Sequence, residues 1–160
     1  MPKTTDAKKL WDLIKKQQIG MLATKNAEGV ISSRPMALSQ DDFDGYLWFF
    51  AEAASHKVDE IQHHREVNVS FIDGEKSQFV SVSGKAQVVR DKEKAKLLWR
   101  PFLRAWFPKG VESPEIVLLR VKVESAEYWE SASSSAVNIS VTVETPKIEP
   151  PRNKKLNLSQ

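Results

Sequence analysis

The chain has 160 residues, 41% of them apolar, which sets one domain with a sizeable core and excludes a disordered protein. Cysteine is absent, so disulfides, thiolate metal sites and cysteine nucleophiles are excluded, and any redox chemistry needs a bound cofactor. Lysine and arginine total 24 against 21 aspartates and glutamates, a formal charge of +3, and no apolar run approaches the ~20 residues that cross a bilayer.

The N-terminal MPKTTDAKKLW has no apolar signal core, so a cytoplasmic protein with no membrane partner is expected. Thr4-Thr5-Asp6 caps a first helix, with Leu10, Trp11 and Ile14 as its apolar face. Ile19 to Thr24 reads as a buried strand. Asn26-Ala27-Glu28-Gly29 turns the chain into a second strand, Val30 to Leu38. Pro35 removes a ladder donor there and predicts an edge or a bulge. Tyr46 to Phe50 is a strongly apolar third strand, taken as the hairpin neighbour of the second.

Ser55 caps a short helix to about His64, with Val58 and Ile61 inward. Val67 to Phe71 alternates with a period of two, as a half-buried strand does. A turn at Gly74-Glu75-Lys76 leads into a long strand ending near Val89. Asp91 caps a helix whose stripe is Ala95, Leu98, Trp99 and Phe102, weakened in its last turn by Pro101. Ile116 to Val123 is a further strand that Ala126 to Trp129 extends. Six strands in hairpin order with inserted helices predict a mainly β fold, a closed or partly closed antiparallel barrel.

Ser131 to Ser135 reads as a linker. Val137, Ile139, Val141 and Val143 alternate as in a late edge strand. Residues 145–160 hold Lys147, Arg152, Lys154 and Lys155 against Glu149 alone, so the first 144 residues carry 20 charges of each sign. An isoelectric point of about 9.1 ordinarily suggests nucleic acid. A neutral body with a basic end argues against that partner, and the tail reads as disordered in isolation.

The six glycines form neither GxGxxG nor a phosphate-loop signature. His63 and His64 are adjacent and point about 100° apart on a helix, so no metal site is expected. Three features do carry a signal. Ser55-His56-Lys57 opens a helix with a hydroxyl, a cation and unpaired backbone N–H groups, which suits a phosphate monoester as well as it suits an ordinary cap. Arg34, on a strand with apolar neighbours, needs a partner: either a carboxylate or a phosphate that matches its fork. Arg34 and Lys57 could converge on one anion. Among the five tryptophans, Trp106 in Arg104-Ala105-Trp106-Phe107-Pro108 is the hardest to place as core.

The ordered set SSRPM (Ser32–Met36), LWFFAEAASHK (Leu47–Lys57), VNVSF (Val67–Phe71), FVSVSG (Phe79–Gly84), AWFP (Ala105–Pro108) and AEYW (Ala126–Trp129) resembles the general stress protein branch of the pyridoxamine 5′-phosphate oxidase-like family. The resemblance covers roughly residues 5–130. It implies a split β-barrel of about six antiparallel strands, a homodimer with FMN at the subunit interface, and a division into a binding domain over 1–130 and a linker, edge strand and basic tail over 131–160. It assigns Arg34 and Lys57 to the FMN phosphate, with Ser55 at the same helix start and His56 where the family often has arginine. The backbone of Arg34, Pro35, Met36 and Ala37 lies along the flavin ring, and Phe49 and Phe50 fall in the strand beside it. Ala51 replaces a frequent threonine. Gln78 and Phe79 fall where the opposite subunit approaches, Trp129 matches an aromatic near the cofactor, and Trp106 is a ring neighbour.

No arginine or histidine occurs between Arg120 and Arg152. The true oxidases carry a substrate-gripping arginine–histidine cluster there, so that oxidase chemistry is not expected. Three readings follow: an FMN-dependent oxidoreductase acting on a small molecule that the sequence does not name, a non-catalytic flavin-binding or stress-sensing protein, and a split barrel holding haem or a deazaflavin.

Overall fold

Six apolar or alternating segments form strands: β1 (Ile19–Lys25), β2 (Ile31–Ala37), β3 (Tyr46–Glu52), β4 (Glu66–Asp73), β5 (Gln78–Val89) and β6 (Ile116–Ser131). Between them lie α1 (Thr5–Ile14), α2 (His56–His63), α3 (Lys92–Leu98) and a 3-10 turn over Pro101–Ala105. The computed structural model describes residues 5–131, 138–139 and 154–157. Among these, no helix is long and apolar enough to cross a membrane.

All pairings are antiparallel, in the order β2-β1-β4-β5-β6-β3. The two ends of this order meet at a single bridge between Leu38 and Phe49, so the sheet curls into a half-barrel. The expected hairpin between the second and third strands does not form. β2 and β3 sit at opposite ends of the sheet and meet only through its curl. The composition of β3 gives the reason. Leu47, Phe49 and Ala51 face the barrel interior, while Trp48 and Phe50 face a second core under α3 and the 3-10 turn. A strand buried on both faces is best satisfied beside another of that kind, and β3 pairs with β6 through Leu118 and Leu119, each of which lies in one of the two cores. β2 is the outermost strand beyond β1, where Pro35 is tolerated.

The helices close the barrel's two mouths. α1 buries Ala7, Leu10, Leu13 and Ile14, and its Lys9 pairs with Glu130 at the far end of β6 (3.2 Å). α2 buries Val58 and Ile61 and covers the opposite mouth, where Glu60 meets Thr24 near the end of β1. The stripe that predicts a helix through Phe102 is split in the structure. The helix ends at Leu98, and Trp99 and Arg100 are extended (φ −64°, ψ 137° and φ −129°, ψ 146°). Pro101 causes this by pushing its predecessor out of the helical region and then starting the 3-10 turn. Ala95, Leu98, Trp99 and Phe102 all still reach the second core. At the helix start the Asp91 carboxylate accepts from the Lys94 N–H (3.0 Å), as its position predicts.

β6 carries one irregularity. Ser83 opposes Ser125 but Gly84 opposes Val123, which leaves Glu124 as an extra residue. At this bulge Gly84 lies so close to the Lys122 carbonyl that a Cβ would overlap it.

β3 covers β6 only from Ile116 to Lys122. The rest of that edge pairs with Asn138–Ile139 and with Lys154–Asn157, the latter opposite Ser125–Tyr128. This corrects the reading of the whole tail as disordered: an open strand edge recruits backbone whatever the side chains carry. The linker from residue 132 to 135, the remainder of the late edge strand and the remainder of the tail lie outside the described residues.

Candidate functional site

The β1–β2 hairpin sets Arg34 opposite Leu22 and Ser32 opposite Thr24. Arg34 alternates with buried Met36, so its side chain enters the barrel mouth under α2. A guanidinium there must find acceptors. Nη1 donates to the Leu22 carbonyl (3.1 Å) and to Thr24 Oγ1 (2.6 Å), and Nη2 donates to Ser32 Oγ (2.9 Å). The fourth partner is Glu60, whose Oε1 lies 3.5 Å from Nη2 and accepts from the Thr24 hydroxyl at 2.6 Å. Thr24 is 2% exposed and acts as the link between the two charges.

Lys57 stands three residues before Glu60 on the same face of α2. Burial, and next the like charge of Arg34, hold its ammonium below the ordinary lysine range, with Glu52 opposing. Burial likewise lowers Arg34, with Glu60 opposing. Lys57 forms no ion pair with a described residue. The mouth therefore holds two cations close enough to repel, with Glu60 paired to Arg34 and Glu52 acting on Lys57 without an ion pair.

The Ser55 hydroxyl does not cap α2. It donates to the Glu52 carbonyl (2.8 Å), because the Glu52–Ser55 turn brings that carbonyl closer than the helix amides. His56 is exposed. His63 is also exposed, with Nδ1 2.9 Å from the Asp59 carbonyl.

The remaining sequence-predicted residues fall into other places. Pro35 is exposed, and Met36 and Ala37 are buried, in different cores. The Phe49 ring lies in the barrel core. The Phe50 ring is enclosed by Trp99 (5.4 Å, edge-on) and Phe107 (6.2 Å). Trp106 is 41% exposed where the 3-10 turn ends.

Gln78, Phe79 and Trp129 gather at the other end of the sheet. Phe79 pairs with Trp129, and Gln78 with Glu130, which accepts its amide at 3.3 Å. The register shows how far this group is from Arg34. Arg34 pairs with Leu22, Leu22 with Val69 and Val69 with Val82. From Val82 to Phe79 is roughly 10 Å along β5 at ~3.3 Å per residue, and β5 lies three strands across the sheet from β2, roughly 14 Å more. Phe79 also faces outward, 38% exposed, whereas Arg34 faces inward. One chain does not bring the two groups together. The outward face around Phe79 also exposes Ile19, Met21 and Ile72.

Two residues of the mouth were not foreseen from sequence, Thr24 and Glu60. The available signal was a polar residue at the end of an apolar strand, and a carboxylate three residues after Lys57.

The model of the family described as pyridoxamine 5′-phosphate oxidase like matches residues 5–149. Protein bli-3 of Neurospora crassa is 31% identical over 121 residues, 69% of this chain and 58% of that protein, so the chain spans little more than half of that curated relative. A general stress FMN/FAD binding protein from Xanthomonas citri is structurally similar, with a TM-score of 0.69 and 25% identity over 90% of this chain and 96% of that one. A Clostridium acetobutylicum protein related to general stress protein 26 of Bacillus subtilis superposes with a TM-score of 0.71 at 17% identity, covering 86% of this chain and 94% of that one.

Proposed function

The chain belongs to the pyridoxamine 5′-phosphate oxidase-like family, and from that premise we propose that it binds FMN between two copies of itself as a flavin-dependent oxidoreductase of the general stress protein type. The observation that carries this reading is the pair Arg34 and Lys57. Both are half-buried and mutually repelling, with Glu60 as the carboxylate paired to Arg34. An ammonium without an ion pair to a described residue, beside a guanidinium, suits a phosphate monoester, which carries about −1.5 to −2 at neutral pH.

In this reading Arg34 and Lys57 hold the phosphate, and the main chain of β2 from Arg34 to Ala37 lies along the ring. The second copy supplies Gln78, Phe79 and Trp129. The separation of these groups within one chain supports that division, as does the exposed apolar face around Phe79, which a second copy would cover. The bound flavin supplies hydride or electron transfer. The chain's own residues bind it, orient it and exclude water.

FMN titrated into the protein is expected to saturate at one per chain, with a light-scattering mass twice the 18.1 kDa of the chain. A monomer carrying its full complement of FMN would contradict the shared site.

A further inference from the structure

We propose that Glu60 sets how strongly this site prefers a phosphate-bearing flavin over the bare ring, by acting as the internal anion that a phosphate must displace from Arg34. The inference rests on the flavin-phosphate reading above and goes beyond it by assigning a residue that opposes binding.

Arg34 is held in place without Glu60. Three of its four terminal N–H contacts go to neutral acceptors of the β1–β2 hairpin, namely the Leu22 carbonyl, Thr24 Oγ1 and Ser32 Oγ. The fourth is the ion pair with Glu60, whose carboxylate side chain is only 16% exposed. Glu60 therefore adds charge more than position. Its Oε1 is fixed from the other side by the Thr24 hydroxyl at 2.6 Å, so it sits against the guanidinium as a built-in counter-anion. An incoming phosphate meets the attraction of Arg34 and Lys57 together with the repulsion of Glu60, in a site where burial weakens solvent screening. A ligand without the phosphate meets neither.

The test compares FMN with riboflavin, by quenching of flavin fluorescence, in wild-type protein and in Glu60→Gln. Glutamine keeps the shape and an acceptor for Thr24 and removes the charge. FMN is expected to tighten roughly tenfold, while riboflavin changes less than about twofold. Glu60→Ala, which removes the group altogether, is expected to shift FMN in the same direction and covers the case in which the glutamine variant fails to fold. A wild-type preference for FMN with no gain in either variant would overturn the role of Glu60 alone. So would an equal gain for riboflavin. Wild-type protein that binds FMN no better than riboflavin would overturn the phosphate reading itself.

Discussion

Replacing Lys57 with methionine is expected to weaken FMN binding by roughly 10- to 100-fold while raising the melting temperature of flavin-free protein by about 1–4 °C. The two effects share one cause. Lys57 is half-buried beside Arg34, which lowers its pKa in the folded chain below the unfolded value. For a lysine that sign means the protonated form costs stability at acidic and neutral pH. The cost fades as pH rises through the lowered folded value and is gone above the unfolded one, 10.5. The stability gain of Lys57→Met should therefore shrink in the alkaline range.

Arg34→Ala should also weaken FMN, but it leaves the Glu60 carboxylate without its counter-ion. Its flavin-free protein should be less stable, not more. Arg65→Ala, at an exposed position before β4, should leave FMN affinity within about twofold. Titration and thermal melts of the three variants check this together. Equal FMN affinity in wild type and Lys57→Met would remove Lys57 from the site.

Gly84→Ala is expected to cost about 3 kcal/mol in chemical denaturation, a fall of about 6–12 °C in melting temperature. The added Cβ would overlap the Lys122 carbonyl, a backbone atom that no rotamer change can move. Relief would require opening the β5–β6 ladder at its bulge, in the middle of the longest pairing of the sheet. Gly74→Ala is the control. It has nothing within 4 Å of its Cβ and should change stability by less than about 0.5 kcal/mol. A Gly84→Ala protein as stable as wild type would mean that the strands do not approach as described.

Much of the fold was legible because its elements are locally consistent. Val67, Val69 and Phe71 alternate and are buried as alternation requires, and Val58 and Ile61 carry the inner face of α2. The failures occurred where distant contacts decide. Nothing local to Tyr46–Phe50 says that its partner is β6 and not β2. That pairing follows from a second core built by Leu98, Leu103 and Leu118, far along the chain. The split of the third helix was half-visible in Pro101, whose effect falls on the residue before it.

At the site, sequence named the cations but not their environment. Arg34 was expected to take either a carboxylate or a phosphate, and the structure gives it Glu60. The resemblance placed Gln78 and Phe79 where the opposite subunit approaches and Trp129 near the cofactor, and in one chain all three lie apart from Arg34. The net charge of +3 spoke to none of this. A local arrangement of Arg34, Lys57 and their carboxylates does not register in a total set by the basic tail.

The most direct test of the account is the absorption spectrum and mass of the ligand that co-purifies with the full chain. The expected result is a flavin spectrum with maxima in the visible range and a released ligand with the mass of FMN. A colourless protein that takes up no added FMN, or a Soret band in place of the flavin spectrum, would contradict it.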